Sequence, residues 1–428
     1  MSSILQNPGR IPQELVNTVL HELRGDIVTL SACSLVCRLW TSPSQALIFS
    51  CIHLLREDGR NDFSKGRPQL RSILTFCNFL ATYPHIAPLV GTLSLQSKGP
   101  ALPGSGGFRA VKARWKPLRD TLARALPTLT HLKSLELRFD RIYGWDAFSE
   151  WEGAHVFTQA SPVLTKLELR RITFEDLGVL LSLLQRTRSL EVLALQEIDF
   201  VQNVLRVDVS SLLVAVQTDK QSQLKTLLLQ RMEAHVFDTV ARALMHPQSP
   251  VDVGHLRHLD LYGSHQGDGA PVGDDLAAAA EFLSMNQNSL EHFSTCQPFG
   301  AQHLCPLLEC RTLKTMCMSA VTSTSAWLDR ICPTITNVSH FTMESLTVEI
   351  SGHYSKHRLH DDSSKWRELD SLLAASALRQ FIIIFARTES DYQHYWDLNW
   401  AEPEDFDSVL PALCHSSRLD IQLEIIVR

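Results

Sequence analysis

Three things are missing from this sequence of 428 residues: a long apolar run, paired cysteines and a strong charge of either sign. A helix that spans a membrane needs about 18 or more consecutive apolar residues. The most apolar run here, Phe381 to Ala386, has only the length of a buried strand. Lys and Arg number 40 against 46 Asp and Glu, a net charge of -6. No basic excess marks a nucleic-acid or membrane-surface footprint, so the partners expected are proteins. The ten cysteines lack the regular pairing of a disulfide framework. The N-terminus shows no charged start leading into an apolar stretch and a small-residue cleavage site, so reduced thiols in cytoplasm or nucleus are expected. For the same reason Asn337-Val338-Ser339 carries no weight as a glycosylation triplet.

Catalytic motifs are missing too. Gly104-Ser105-Gly106-Gly107-Phe108 lacks the Lys-Ser/Thr that would hold a phosphate and its metal. His21-Glu22-Leu23-Arg24 is followed by Gly25 where a zinc protease needs its second histidine, and Tyr262-Gly263-Ser264-His265-Gln266 lacks the flanking glycines of a nucleophile elbow. Cys296, His303, Cys305 and Cys310 are not spaced as zinc knuckles and read as buried residues; His353, His357, His360, Asp361 and Asp362 read as a loop. Neither a metal nor a cofactor is expected, and the chain reads as a non-enzyme.

What is present begins with three short helices. Pro12 suits a first helical turn, and Leu15, Val19, Leu20 and Leu23 follow on one apolar face. Gly25 can end that helix and Asp26 can cap the next, which carries Ile27, Leu30, Leu35 and Val36. A third apolar run surrounds Trp40, Leu47, Ile48 and Phe49, with Pro43 as a turn or a new helix start. About 40 residues of this kind bury too little surface alone, so a second surface is called for.

The residues Ile11-Pro12-x-Glu14-Leu15, then Val19 and Leu23, then Val36-Cys37-Arg38-x-Trp40 and Phe49-x-x-Ile52 resemble an F-box over residues 9–54. That resemblance implies a helical module that docks onto the Skp-type adaptor of a cullin-RING ubiquitin ligase. It places Ile11, Pro12, Leu15, Val19, Leu20, Val36, Cys37 and Trp40 at the interface or in its immediate support. Ile11 stands where family members often carry Leu. The plain alternative is that these residues form only the core of a helical bundle.

After a helical linker at 55–84, the texture changes to L-x-x-L-x-L segments. They begin at Val90, Leu132, Leu164, Leu190, Leu224 and Leu256, with weaker copies from Leu290, Leu313, Val338 and Leu378 and a closing strand through Leu419, Ile421 and Leu423. From Leu132 to Val338 the spacing varies between 23 and 34 residues. Alternation of period two puts the second and third leucines on one face of a short strand. Phe174 to Gln185, Val209 to Val216, Ala234 to Met245 and Asp274 to Met285 read as helices between strands. One strand and one helix cannot bury their own apolar face, so neighbours must stack. Residues 85–428 thereby resemble a leucine-rich-repeat solenoid, which implies parallel strands on a concave side and helices outside. The Asn that usually follows the strand is absent: Asp140, Ile172, Ile198, Met232 and Ser264 stand at or near its place.

The expected fold class is α/β, a small all-α F-box followed by an irregular solenoid. Two segments interrupt the rhythm. The loop insertion at 97–119 holds the basic run Arg109, Lys112, Arg114, Lys116 and Arg119 around Trp115, either a solvated face or a docking strip for an acidic partner. Residues 389–407 hold seven acids and no Lys or Arg, interleaved with Tyr392, Trp396 and Trp400 among other aromatics, either a partner-binding loop or a seal on the last repeat. The function expected is substrate recognition for a cullin-RING ligase, with no nucleic-acid or membrane partner; the alternatives are an F-box scaffold that directs no ubiquitination, or an unrecognised hydrolase.

Overall fold

A strand whose second and fourth side chains are apolar can be buried on one face only, and this chain repeats such a strand along its length. In the computed structural model of the protein, the described residues are 11–56, 73–97, 124–139, 163–200, 209–215, 222–262, 275–295, 310–320, 328, 332, 343–351, 356–375, 378–388, 403–416 and 419–426. The chain is α/β, with an N-terminal helical region and a large parallel sheet. It divides into two compact units, residues 1–190 with 200–202, and residues 191–199 with 203–428.

The first unit opens with helices α1 (Gln13–Glu22), α2 (Ile27–Val36) and α3 (Arg38–Phe49). Gly25 takes a left-handed φ of 107 after α1, a conformation that favours glycine. Asp26 then caps α2, accepting from Thr29 N at 3.0 Å and Thr29 Oγ1 at 2.6 Å. Pro43 does not break the chain as expected. It lies inside α3, which runs on past it, because Trp40 N and Thr41 N already anchor the helix start on Cys37 O.

The sheet also begins earlier than residue 85. Strand β1 (Cys51–Arg56) pairs in parallel with β2 (Thr92–Ser97), followed by β3 (Ser134–Phe139) and β4 (Lys166–Arg170), with Ile52, Leu93, Leu135 and Leu167 in register. Helix α4 (Ile73–Thr82) lies within the expected linker. After β4 come the two-residue strand β5 (Thr173–Phe174) and helix α5 (Leu177–Arg186).

The second unit carries eight parallel strands of the large sheet among its described residues: β6 (Val192–Gln196), β9 (Thr226–Gln230), β11 (His258–Tyr262), β12 (His292–Thr295), β13 (Thr315–Ala320), β14 (Ser345–Ser351), β15 (Gln380–Thr388) and β16 (Leu419–Ile426). The short strands β7 (Asp199–Phe200), β8 (Ser222–Gln223) and β10 (Val251–Asp252) lie among them in sequence, and β8 pairs with β10. Helices α6 (Val209–Ala215), α7 (Ala234–Met245) and α8 (Asp275–Met285) fall where the sequence places them. Leu193, Leu227, Leu259, Phe293, Met316, Leu346 and Phe381 form one buried row across seven strands.

That row corrects one expectation. The repeat assigned to Val338-x-x-Phe341-x-Met343 sits elsewhere: Leu346 and Val348 of β14 align with Met316 and Met318. Val338 and Phe341 lie outside the described residues.

Each strand start is stitched to the one before by a single carbonyl that accepts two successive N–H groups. Glu191 O takes Lys225 N and Thr226 N, Lys225 O takes Arg257 N and His258 N, and the pattern continues to Glu344 O with Arg379 N and Gln380 N. At the strand exits, where Asn was missed, Arg171, Glu197 and Arg231 take left-handed φ values of 57, 54 and 53. Backbone geometry turns the chain there, and Ile172, Ile198 and Met232 follow as buried residues. A bridging Asn does occur, but on the other side of the repeat: buried Asn286 accepts from Leu256 N at 2.7 Å and donates to Phe282 O at 2.9 Å.

Helices α9 (Lys356–Asp361) and α10 (Ser363–Ala375) replace the loop expected around His357 and His360. Near the C-terminus, buried Asp370 of α10 accepts from Ala412 N and Leu413 N, both at 2.9 Å, and so caps α11 (Pro411–His415). Among the described residues no helix is long and apolar enough to cross a membrane.

Candidate functional site

In the first unit, α1–α3 pack on a core too small for their apolar content. Val16, Leu20 and Leu30 are buried, with Leu23, Cys33, Trp40, Leu47 and Ile48 packed against them. The apolar stripe of α1 is therefore wider than the core it serves. Leu20 faces inward, while Ile11, Leu15 and Val19 stay exposed. The end of α2 does the same, with Leu35 86% and Val36 68% exposed, joined by Val28 and Leu39. Of the sequence-derived residues, Ile11, Pro12, Leu15, Val19, Val36 and Cys37 lie at the surface, whereas Leu20 and the half-buried Trp40 brace the helices from behind. Val28, Leu35 and Leu39 are exposed in the same helical region and were missed as site residues, although their apolar character was readable.

A cavity of about 660 Å³ opens beside these helices, lined by Ile27, Leu30, Ile48, Ile52 and Phe79 among others. Cys51 and His53, two residues apart and so on one side of β1, line it as well, with Sγ and Nε2 3.2 Å apart. A thiol beside an imidazole is the core of a nucleophilic pair, but the third group that orients the imidazole in such sites is not found: His53 has no other hydrogen bond among the described residues.

In the second unit, the face of the sheet opposite the leucines is polar over β11–β14 and apolar to either side, at Val192, Ala194 and Leu228 and again at Ile382 and Ile384. Across it run Thr226, His258, His292, Thr315 and Ser345 in one row, and Leu228, Asp260, Ser294, Cys317 and Thr347 in the next. These side chains are half-buried. The rings of His258 and His292 lie 5.7 Å apart, and His292 Nδ1 meets Thr315 Oγ1 at 2.6 Å. Burial, then the nearby His292, lowers the His258 pKa, so its ring is neutral at physiological pH.

Asp260 is the chemical centre of this face. Its Oδ2 accepts from Gln230 Nε2 at 2.6 Å, while Oδ1 is buried without a well-formed hydrogen bond among the described residues. Burial pushes its carboxyl up to about 6, opposed by Gln230 and Ser294 and reinforced by the charge of Glu349. Burial, with Glu349 and Asp260, pushes the Cys317 thiol up to about 11, against the pull of Ser294; it is protonated and unreactive at neutral pH.

The cations of this region are held at the strand starts, one residue outside the polar rows. Lys225 pairs with Glu191 at 2.8 Å, Lys314 with Glu291 at 2.6 Å, and Arg379 with Glu344 at 3.6 Å. Lys314, through its hydrogen bond and then its charge, with help from Arg257 and His292, holds Glu291 below the usual carboxylate range. The first unit differs: its sheet face carries both signs, with Arg138 bonded to Glu168 at 3.0 Å and Lys166 to Glu168 at 3.3 Å.

Arg109, Lys112, Arg114 and Lys116, and likewise Tyr392, Trp396 and Trp400, lie outside the described residues. Of the acidic aromatic segment, Phe406 is described; it is fully buried and packs edge-on against Trp366 at 5.4 Å. Cys310 is buried, and among the described residues no three His, Cys, Asp or Glu side chains are grouped to hold a metal. The chain matches no protein-family model and no curated protein.

Proposed function

We propose that this protein is the substrate-recognition subunit of a cullin-RING ubiquitin ligase, docking onto a Skp-type adaptor through an F-box-like α1–α3 and presenting a protein substrate on a leucine-rich-repeat-like sheet. One observation carries the reading: seven of the ten large apolar side chains found exposed among the described residues lie between Ile11 and Leu39. A concentration of apolar surface of that kind marks an interface, and four of the seven, Ile11, Leu15, Val19 and Val36, are residues that the F-box resemblance assigns to the adaptor. The mechanism is proximity: holding a substrate near the ubiquitin-charged enzyme raises its effective concentration, with no catalytic group required in this chain.

The test is capture of a purified Skp-type adaptor with its cullin. Leu15→Asp and Val19→Asp change exposed side chains and leave the helical core intact, so both variants should fold and melt as wild type while losing adaptor. Leu20→Ala should lower stability, because it removes core contacts. Wild-type chain that captures no more adaptor than the two Asp variants would refute the reading. Cullin-dependent turnover of a co-purifying protein separates a ligase subunit from a scaffold.

A further inference from the structure

Strand β1 alternates its side chains, so Ile52 and Leu54 are buried while Cys51 and His53 are exposed. A thiol and an imidazole thus share one side of the strand, Sγ and Nε2 3.2 Å apart, at the wall of the cavity of about 660 Å³. Two independent features meet there. The first is the pair itself: with the imidazole proton on Nδ1, Nε2 accepts from the thiol, the arrangement that makes a thiol a nucleophile. The second is the lining. Ile27, Leu47, Ile48, Phe49 and Phe79 reach the cavity only half-buried, and the rings of Phe49 and Phe79 stack at 5.6 Å. Apolar surface left open inside a concave wall gains free energy from a hydrocarbon guest. The volume falls among those of small-molecule sites, roughly 300 to 1,000 Å³. Arg24 and Gln45 line the same cavity and carry the N–H donors that a carbonyl oxygen needs.

We propose that Cys51 is a covalent capture site for an apolar α,β-unsaturated carbonyl compound, whose hydrocarbon chain fills the cavity while its β-carbon meets the thiol. The step balances without a further reactant. His53 Nε2 takes the thiol proton, Sγ bonds to the β-carbon, and the carbon–carbon π pair moves toward the carbonyl as an enolate. The imidazolium then returns the proton to the α-carbon, so that nothing leaves and no oxidant or reductant is used. With no third group orienting His53 among the described residues, the pair serves one addition and not a turnover cycle. The site goes beyond the proposed function and is separate from the surface assigned to the adaptor, since Ile11, Leu15, Val19 and Val36 do not line the cavity.

The probes are two aldehydes with one reactive group, trans-2-nonenal and crotonaldehyde, reacted with the full chain at neutral pH, fixed with borohydride and mapped by peptide mass spectrometry. Cys37 is the internal control, because it is exposed and not part of the cavity. The ratio of the nonenal rate to the crotonaldehyde rate at Cys51 should exceed that at Cys37 by at least about fivefold, since only at Cys51 is the longer chain taken out of water. His53→Gln should slow both aldehydes at Cys51 by at least about fivefold and leave Cys37 unchanged. Ser31→Trp, at an exposed residue that lines the cavity, should remove the chain-length preference and spare the crotonaldehyde rate. Equal ratios at Cys51 and Cys37, a His53→Gln chain that reacts as wild type does, or a Ser31→Trp chain that keeps the preference would overturn the proposal. The wild-type comparison needs no variant, and unchanged thermal melting qualifies the other two. Adaptor capture read on the same samples keeps the two ideas apart: capture without selective addition at Cys51 sinks this proposal alone, and selective addition without capture sinks the ligase reading alone.

Discussion

Asp260 and Leu193 show what a single side chain costs on the two faces of the same sheet. Folding holds the Asp260 carboxyl at about 6 against an ordinary 3.8, so the ionised form is the one the fold disfavours. The penalty is absent below about pH 4, where the carboxyl is protonated whether folded or not, and fully present above about pH 6. Asp260→Asn should accordingly raise stability at pH 7.5 by about 1 to 3 kcal/mol, and the gain should vanish by about pH 4 in urea titrations run at both values. A constant difference across that range would mean that burial does not set this carboxyl's behaviour. Leu193 is fully buried, and Leu193→Asp places an unpaired charge among leucines, which should cost more than about 4 kcal/mol; a soluble variant with an unchanged melting curve would contradict it. Leucines such as Leu193 were legible from the sequence because burial follows the two-residue period of a strand. Asp260 was not, because an acid on the polar side of a strand looks like any solvated residue until the register brings Gln230, Ser294 and Glu349 around it.

Elements were legible where one physical signal dominated. Helices α7 and α8 matched their expected spans because apolar periodicity, flanking turns and length agreed. Strand β14 did not, because Val338 to Met343 and Met343 to Val348 offer similar apolar spacing; pairing with β13 decides in favour of the second. Helix α3 passes through Pro43 because only one backbone donor is lost near its start. The cap on α11 was invisible for another reason, since Asp370 precedes the amides it binds by more than 40 residues. Asp370→Ala strips two N–H groups of their acceptor, one of them on buried Leu413. It should destabilise the chain by about 2 kcal/mol, most directly read as faster amide exchange across residues 411–415. Asp370→Asn keeps an acceptor and should recover part of the loss.

At the scale of the whole chain, an N-terminal helical region followed by a parallel sheet was readable, and the first strand lies earlier than the leucine pattern suggested. The first strand begins at Cys51, and Ser50 O accepts from Gly91 N and Thr92 N, so the helical region and the sheet share a continuous backbone ladder. Deleting residues 1–54 cuts through β1 and uncovers the edge of β2, with Leu93 and Leu95 beside it. An uncovered edge of this kind recruits other chains. That truncation should aggregate on size-exclusion chromatography, whereas one ending at residue 50 keeps β1 and should remain more soluble. Equal behaviour would mean that β1 contributes little to the sheet's edge.

The left-handed exits at Arg171, Glu197 and Arg231 bear on how such a chain can change over generations. The strands there are fixed at their starts by shared carbonyls, and at these three exits the backbone turns with Arg or Glu rather than Asn at the turning residue. The segment beyond that turn can lengthen or shorten without shifting the next strand, since closing a longer loop adds only about 0.6 kcal/mol per doubling. Insertions and deletions between strands are therefore cheap while the register persists. A lineage built on this plan would drift in length long before it drifted in architecture.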